Sequence, residues 1–152
     1  MAAGKRLTAP DPDFAARVRD SFARQDFMTM IGARLVTVEP GRATILLPHR
    51  SDLTQQHGLF HGGVTGAIAD SAGGYAAFSL FPADASILTV EYKLNLLAPG
   101  KGERLEAEGQ VIKPGRTLAV TDLKVWAVEG EKRTLIAAGQ QTLICLHGRP
   151  DR

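Results

Sequence analysis

The hydrophobic positions of this chain fall into blocks of different spacing. Phe14, Val18, Phe22 and Phe27 recur at helical intervals and predict a helix over Asp13–Phe27. Pro12 suits the first turn of such a helix. Ala33–Glu39 and Arg42–Leu47 read as strands on either side of Pro40-Gly41, a hairpin turn. Gly62–Leu80 then runs through Gly, Ala, Ser and a few large apolar residues, and is read as a helix. Its glycines each cost about 1 kcal/mol against alanine. That cost is tolerable where another backbone comes very close, as when a curved sheet wraps the helix. After Pro82 four strand segments follow: Ser86–Leu97, Arg104–Ile112, Arg116–Val128 and Thr134–Leu146. Turns at Pro99-Gly100, Lys113-Pro114-Gly115 and Gly130-Glu131 separate them, and together they suit an antiparallel meander. The order of helix, two strands, long apolar helix and four strands argues an α+β fold with one sheet packed on one main helix.

Composition narrows the picture without redirecting it. At 152 residues the chain has the size of one domain and buries roughly 70% of its unfolded surface, so it needs neither disulfide nor metal to hold a core. A formal net charge of +2 gives no case for a nucleic-acid partner. The one cysteine, Cys145, cannot form an intrachain disulfide and lies in the apolar run Thr142–Leu146, where it reads as a buried strand residue. No Cys-x-x-Cys or His-Glu-x-x-His spacing supports a metal. Lys5 and Arg6 have no apolar block behind them, so a signal peptide is not expected, nor is any stretch long and apolar enough to span a bilayer. The expected organisation is a disordered leader over 1–12, a single domain over 13–147 and a flexible tail over 148–152, in a soluble cytoplasmic protein with no membrane partner.

Asp70 carries the most chemical information. Between Asp52 and Asp84 it is the only formally charged side chain, and it stands mid-way along the apolar helix, where aspartate is a poor helix former. An ionised carboxylate without partners is costly to bury, so this position must be either satisfied or useful. The plain reading is an Asp that accepts hydrogen bonds from a neighbouring loop. The functional reading is a base or nucleophile at the floor of an apolar cleft, where desolvation makes a carboxylate a better base. Upstream stands Gln55-Gln56-His57-Gly58-Leu59-Phe60-His61-Gly62-Gly63. A His-Gly-Gly that enters a helix presents unpaired N–H groups at the positive end of the helix dipole. Such donors can hold the oxyanion formed when a thioester carbonyl is attacked. The plain readings here are a loop-to-helix turn for Gly62-Gly63, and capping or loop-bracing imidazoles at His57 and His61.

The pattern His57-Gly58-x-x-His61-Gly62-Gly63, with Asp70 nine positions after His61, resembles the signature of hot-dog fold acyl-CoA thioesterases, and most nearly the phenylacetic-acid-degradation type. Thr89-Val90-Glu91-Tyr92-Lys93-Leu94-Asn95-Leu96-Leu97-Ala98-Pro99-Gly100 resembles the family's long strand after the helix, and Lys113-Pro114-Gly115-Arg116-Thr117-Leu118-Ala119 its next hairpin. The resemblance extends over roughly Ile31 to Leu146. It implies an antiparallel sheet wrapped around one long central helix, and hydrolysis of an aromatic, medium- or long-chain acyl-CoA to the free acid and CoA. Asp70 would activate water or attack directly. Gly62 would donate its N–H to the thioester oxygen, the Gln55 amide would contact the lytic water or the acyl group, and the Thr89 hydroxyl would help hold the water. His61, Gly63, Arg116, Lys113 and Lys93 are the further candidates for substrate binding, with Arg116 the best phosphate ligand because guanidinium forks onto phosphate.

The resemblance also implies no cofactor beyond the CoA of the substrate, and a homodimer or dimer of dimers with its sites at the subunit interface. Gln55 and Gly62 would come from one subunit, Asp70 and Thr89 from the other. One departure is Gly74, where some relatives carry a hydroxyl one turn after the acid. Two other functions use the same fold: a non-catalytic acyl-CoA-binding module, which would not need Asp70, and an enoyl hydratase or dehydratase, which would pair a histidine with a carboxylate.

Overall fold

The computed structural model describes residues 7–151. Two short helices, α1 (Phe14–Ala23) and α2 (Asp26–Ile31), precede a hairpin of β1 (Arg34–Glu39) and β2 (Arg42–Pro48). A single 3-10 turn at Ser51–Leu53 leads to the long helix α3 (Gly62–Phe78). Four strands complete the chain: β3 (Ser86–Leu96), β4 (Arg104–Lys113), β5 (Leu118–Glu129) and β6 (Lys132–Leu146). All six strands pair antiparallel in one sheet of order β1-β2-β4-β5-β6-β3. This is the α+β hot-dog arrangement expected from the sequence, with the sheet curved against one central helix.

Strict alternation builds the inner face. Leu105, Ala107, Gly109 and Val111 on β4, and Ala119, Thr121, Leu123, Val125 and Ala127 on β5, are all buried. They meet Ile68, Ala69, Ala72 and Ala76 of α3, which are wholly buried. A helix that is apolar around most of its circumference belongs in a core. The approach is close enough to require glycine. A Cβ added at Gly109 would lie 2.3 Å from the carbonyl oxygen of Ala72, and one at Gly73 would lie 2.0 Å from Oε1 of Gln141. The apparent defect of glycines in a helix is therefore what lets helix and sheet touch. Ser79 closes α3: its Oγ donates to the Ala76 carbonyl at 2.6 Å and accepts the Gly41 N–H at 2.7 Å.

Two expectations need correction. The N-terminal helix is two helices, because Gln25 adopts an extended conformation (φ −81°, ψ 98°) and its side-chain amide donates to the Tyr75 hydroxyl at 2.9 Å. The last four strands are not one meander. Only β4, β5 and β6 run in succession; β3 lies outside β6 at the far edge, and β4 returns to pair with β2. Helix α3 carries the chain across the sheet face, leaving the side of β2 open as an unpaired edge that β4 then fills. Of the expected leader and tail, residues 1–6 and 152 lie outside the described residues, and Leu7 packs against the core. Asp11 is buried and ion-pairs with Arg17 at 2.8 Å, and the carboxylate of Asp151 meets Arg24 at 2.7 Å.

Edge strand β3 differs from every other strand. Leu88, Val90, Tyr92 and Leu96 on it, and Leu97 just after it, are 45% to 62% exposed, an unusual density of uncovered apolar groups along a free edge. Among the described residues no helix is long and apolar enough to cross a membrane.

Candidate active site

Asp70 sits half-buried on α3, on the wall of a cavity of about 330 Å³ that it shares with Ser71, Gly74, Tyr75, Ile87, Leu88, Thr89 and Leu143. Ser21, Gln25 and Asp151 close its other side. The carboxylate is not solitary. Its Oδ1 accepts from the Thr89 hydroxyl at 2.7 Å and from the Nε2 amide of Gln141. Gln141 also donates to Thr89 Oγ1 at 3.0 Å and to the Asp70 carbonyl at 3.1 Å. Its own Oε1 accepts from the Thr121 hydroxyl at 3.2 Å. Oδ2 finds no partner among the described residues.

Sheet register puts these groups together. Gln141 and Thr121 are direct cross-strand partners on β6 and β5, both on the inner face and both fully buried. On β3 the pairing slips between Thr89 and Glu91, so Val90 is an extra residue. Such a bulge shifts the alternation by one and re-aims the side chains that follow. Thr89 before it and Tyr92 after it therefore both face α3: Thr89 bonds Asp70, and the Tyr92 hydroxyl lies 3.3 Å from where a Cβ would stand on Gly66.

A second, separate cluster lies at the start of α3. His61 is its N-cap, with Nδ1 accepting the Gly63 N–H at 2.8 Å. The Gly63 amide is thereby occupied, and His61 serves the helix end rather than standing free. The Gly62 N–H finds no acceptor among the described residues and points out at the positive end of the helix dipole. Gln55 and Gly62 line a cavity of about 200 Å³ with Leu59, Phe60, Thr65 and Leu96. The Gln55 side-chain oxygen also accepts the backbone N–H of His57, which folds the loop onto itself.

Within one chain these two clusters do not meet. Gly62 and Asp70 are eight residues apart on one helix, about 12 Å along its axis at 1.5 Å per residue. Their cavities share no lining residue. Arg116, Lys113 and Lys93 are exposed and line neither cavity. Arg116 lies in the loop between β4 and β5, its carbonyl 2.8 Å from Nε2 of His147. Cys145 is a core residue, and burial pushes its thiol up. Burial likewise pushes up the phenol of Tyr75, beside the Asp70 cavity. Among the described residues no three His, Cys, Asp or Glu side chains stand together as metal ligands.

The sequence reading missed Gln141 and Thr121. A signal was present: both are polar residues in the inward phase of otherwise apolar strands.

The model of the thioesterase superfamily matches residues 57–134, a stretch that includes Gly62, Asp70 and Thr89. A thioesterase family protein of known structure from Silicibacter pomeroyi is 47% identical, with 89% of this chain and 99% of that one covered, and a TM-score of 0.87. A 1,4-dihydroxy-2-naphthoyl-CoA hydrolase of Listeria monocytogenes is 28% identical over 95 residues, 62% of this chain and 77% of its own. The PaaI protein from the phenylacetic acid degradation operon of E. coli is similar at a TM-score of 0.81, covering 91% of this chain and 96% of its own. At 18% identity that likeness is one of fold.

Proposed function

The chain belongs to the thioesterase superfamily and is a thioester hydrolase, and from that premise we propose that it cleaves acyl-CoA thioesters with Asp70 as the catalytic carboxylate. The observation that carries this reading is the setting of Asp70: one carboxylate oxygen tied to Thr89 and Gln141, the other without a partner among the described residues, on the wall of an open cavity. Ile87, Leu88 and Leu143 give that cavity an apolar lining suited to an acyl group.

The complete site is built by two subunits. In one chain the Gly62 donor is too far from Asp70 for both to act on the same carbonyl. A second copy docked along β3 would cover its exposed apolar residues and bring the two clusters face to face. Gly62 of one subunit then holds the thioester oxygen while Asp70 of the other drives the attack. Water loses a proton to Asp70 as its oxygen bonds to the carbonyl carbon, or the carboxylate itself bonds there and water cleaves the resulting anhydride. In either route the tetrahedral intermediate collapses by breaking the C–S bond, and CoA leaves as the thiolate. Label found in Asp70 after a single turnover in ¹⁸O-water identifies the anhydride route, with water attacking the Asp70 carboxyl carbon. Arg116, exposed in the loop between β4 and β5 and with its guanidinium without an acceptor among the described residues, is the proposed phosphate contact. Within the superfamily the motif around His61 favours the phenylacetic-acid-degradation branch.

Free-thiol release from aromatic, medium-chain and long-chain acyl-CoAs tests the reading. Wild type releases thiol from at least one class, and Asp70→Ala lowers kcat at least about a hundredfold while remaining folded. A folded Asp70→Ala variant with full activity would overturn the role of the acid.

A further inference from the structure

Gln141 makes contacts that core packing does not call for. Its side chain is 1% exposed, on the inner face of the last strand, where its neighbours in phase are Ala137, Gly139, Leu143 and Cys145. A buried amide must satisfy both ends or be costly. Here the oxygen end is fixed by the Thr121 hydroxyl. The carbonyl and carboxylate oxygens of Asp70 can only accept, and they decide which way the amide faces, with its N–H groups toward Asp70 and Thr89. Thr89, accepting from Gln141, is left to donate its own proton to the same Oδ1. The donations run one way, from Thr121 through Gln141 and Thr89, and end on Asp70, at Oδ1 of its carboxylate and at its backbone carbonyl. Gly73 is the space in α3 that admits the arrangement, since a Cβ there would stand 2.0 Å from Gln141 Oε1 and 2.8 Å from Thr121 Oγ1.

We propose that Gln141 is the positioning residue of the site: locked by Thr121, it pins Oδ1 of Asp70 and leaves Oδ2 as the oxygen that reacts. This rests on the hydrolytic role of Asp70 set out above.

The test compares Gln141→Leu, and the paired variant Gln141→Leu with Thr121→Val, against wild type. The pair removes both buried partners at once and leaves no orphaned group, so it decides the matter if the single variant fails to fold. The expected result is a kcat at least about tenfold lower with KM within about threefold. Gln141→Asn, one methylene shorter, does not recover the lost kcat. A folded paired variant with wild-type kcat and KM would overturn the proposal and leave Gln141 a packing residue. A wild-type protein that releases no thiol from any acyl-CoA would instead overturn the hydrolytic reading, and the proposal that rests on it.

Discussion

At the start of α3 the groups turned outward are backbone donors, and two turns further on they are side-chain acceptors held from three strands. The first cluster is local. Glycine at position 62, an imidazole cap at position 61 and the helix dipole are enough to present a free N–H, whatever the sheet does. The second is assembled from α3, β3, β5 and β6, and works only if a bulge falls at Val90 and if Thr121 stands opposite Gln141. A donor made of backbone is thus insulated from changes elsewhere. An acceptor made of side chains from four elements is exposed to any substitution that shifts their register.

The sharpest way to break the donor cluster alone is Gly62→Pro. Proline at the first helical position keeps the helix and removes only the N–H. The preceding residue already has the conformation proline demands, with His61 at φ −65° and ψ 138°. The one crowded contact is Leu96 Cδ1, 3.1 Å from a new Cβ and at the end of a flexible side chain. Thiol-release kinetics should show kcat down about a hundredfold, with circular dichroism unchanged. Near-normal turnover would move the oxyanion donor elsewhere.

A smaller effect separates two adjacent glycines. Gly73→Ala drives a Cβ into Gln141, Leu123 and Thr121, and should lower the unfolding free energy by about 1–3 kcal/mol in denaturant titration. Gly74→Ala meets only Leu143 Cδ2, at an ordinary 3.8 Å, and should gain up to about 1 kcal/mol from helix propensity. If the two variants were equally stable, the claim that Gly73 exists to seat Gln141 would fail.

The same contrast explains what could be read without coordinates. The bounds of α3, Asp70 within it and Gly62 at its start are local features, visible as a lone charge and a His-Gly-Gly in an apolar stretch. Cys145 was legible too, because alternation on β6 puts it in the core. The partner of β3 was not, since four consecutive strand segments give no sign that the first crosses to the far edge. The break at Gln25 was hidden because a tertiary bond to Tyr75 overrides helical periodicity. Gln141 and Thr121 were each visible as misplaced polar residues, but their meeting with each other and with Asp70 depends on a register that only the folded sheet reveals.

The central claim is that one working site needs Gly62 from one subunit and Asp70 from another. Asp70→Ala and Gly62→Pro chains carrying different tags, co-expressed and purified through both tags, test it directly. In such a mixed dimer one site is doubly damaged and the other is whole, so turnover should return to about half that of wild type, far above either parent alone. Mixed dimers no more active than the parents would place the whole reaction within a single chain and contradict the account.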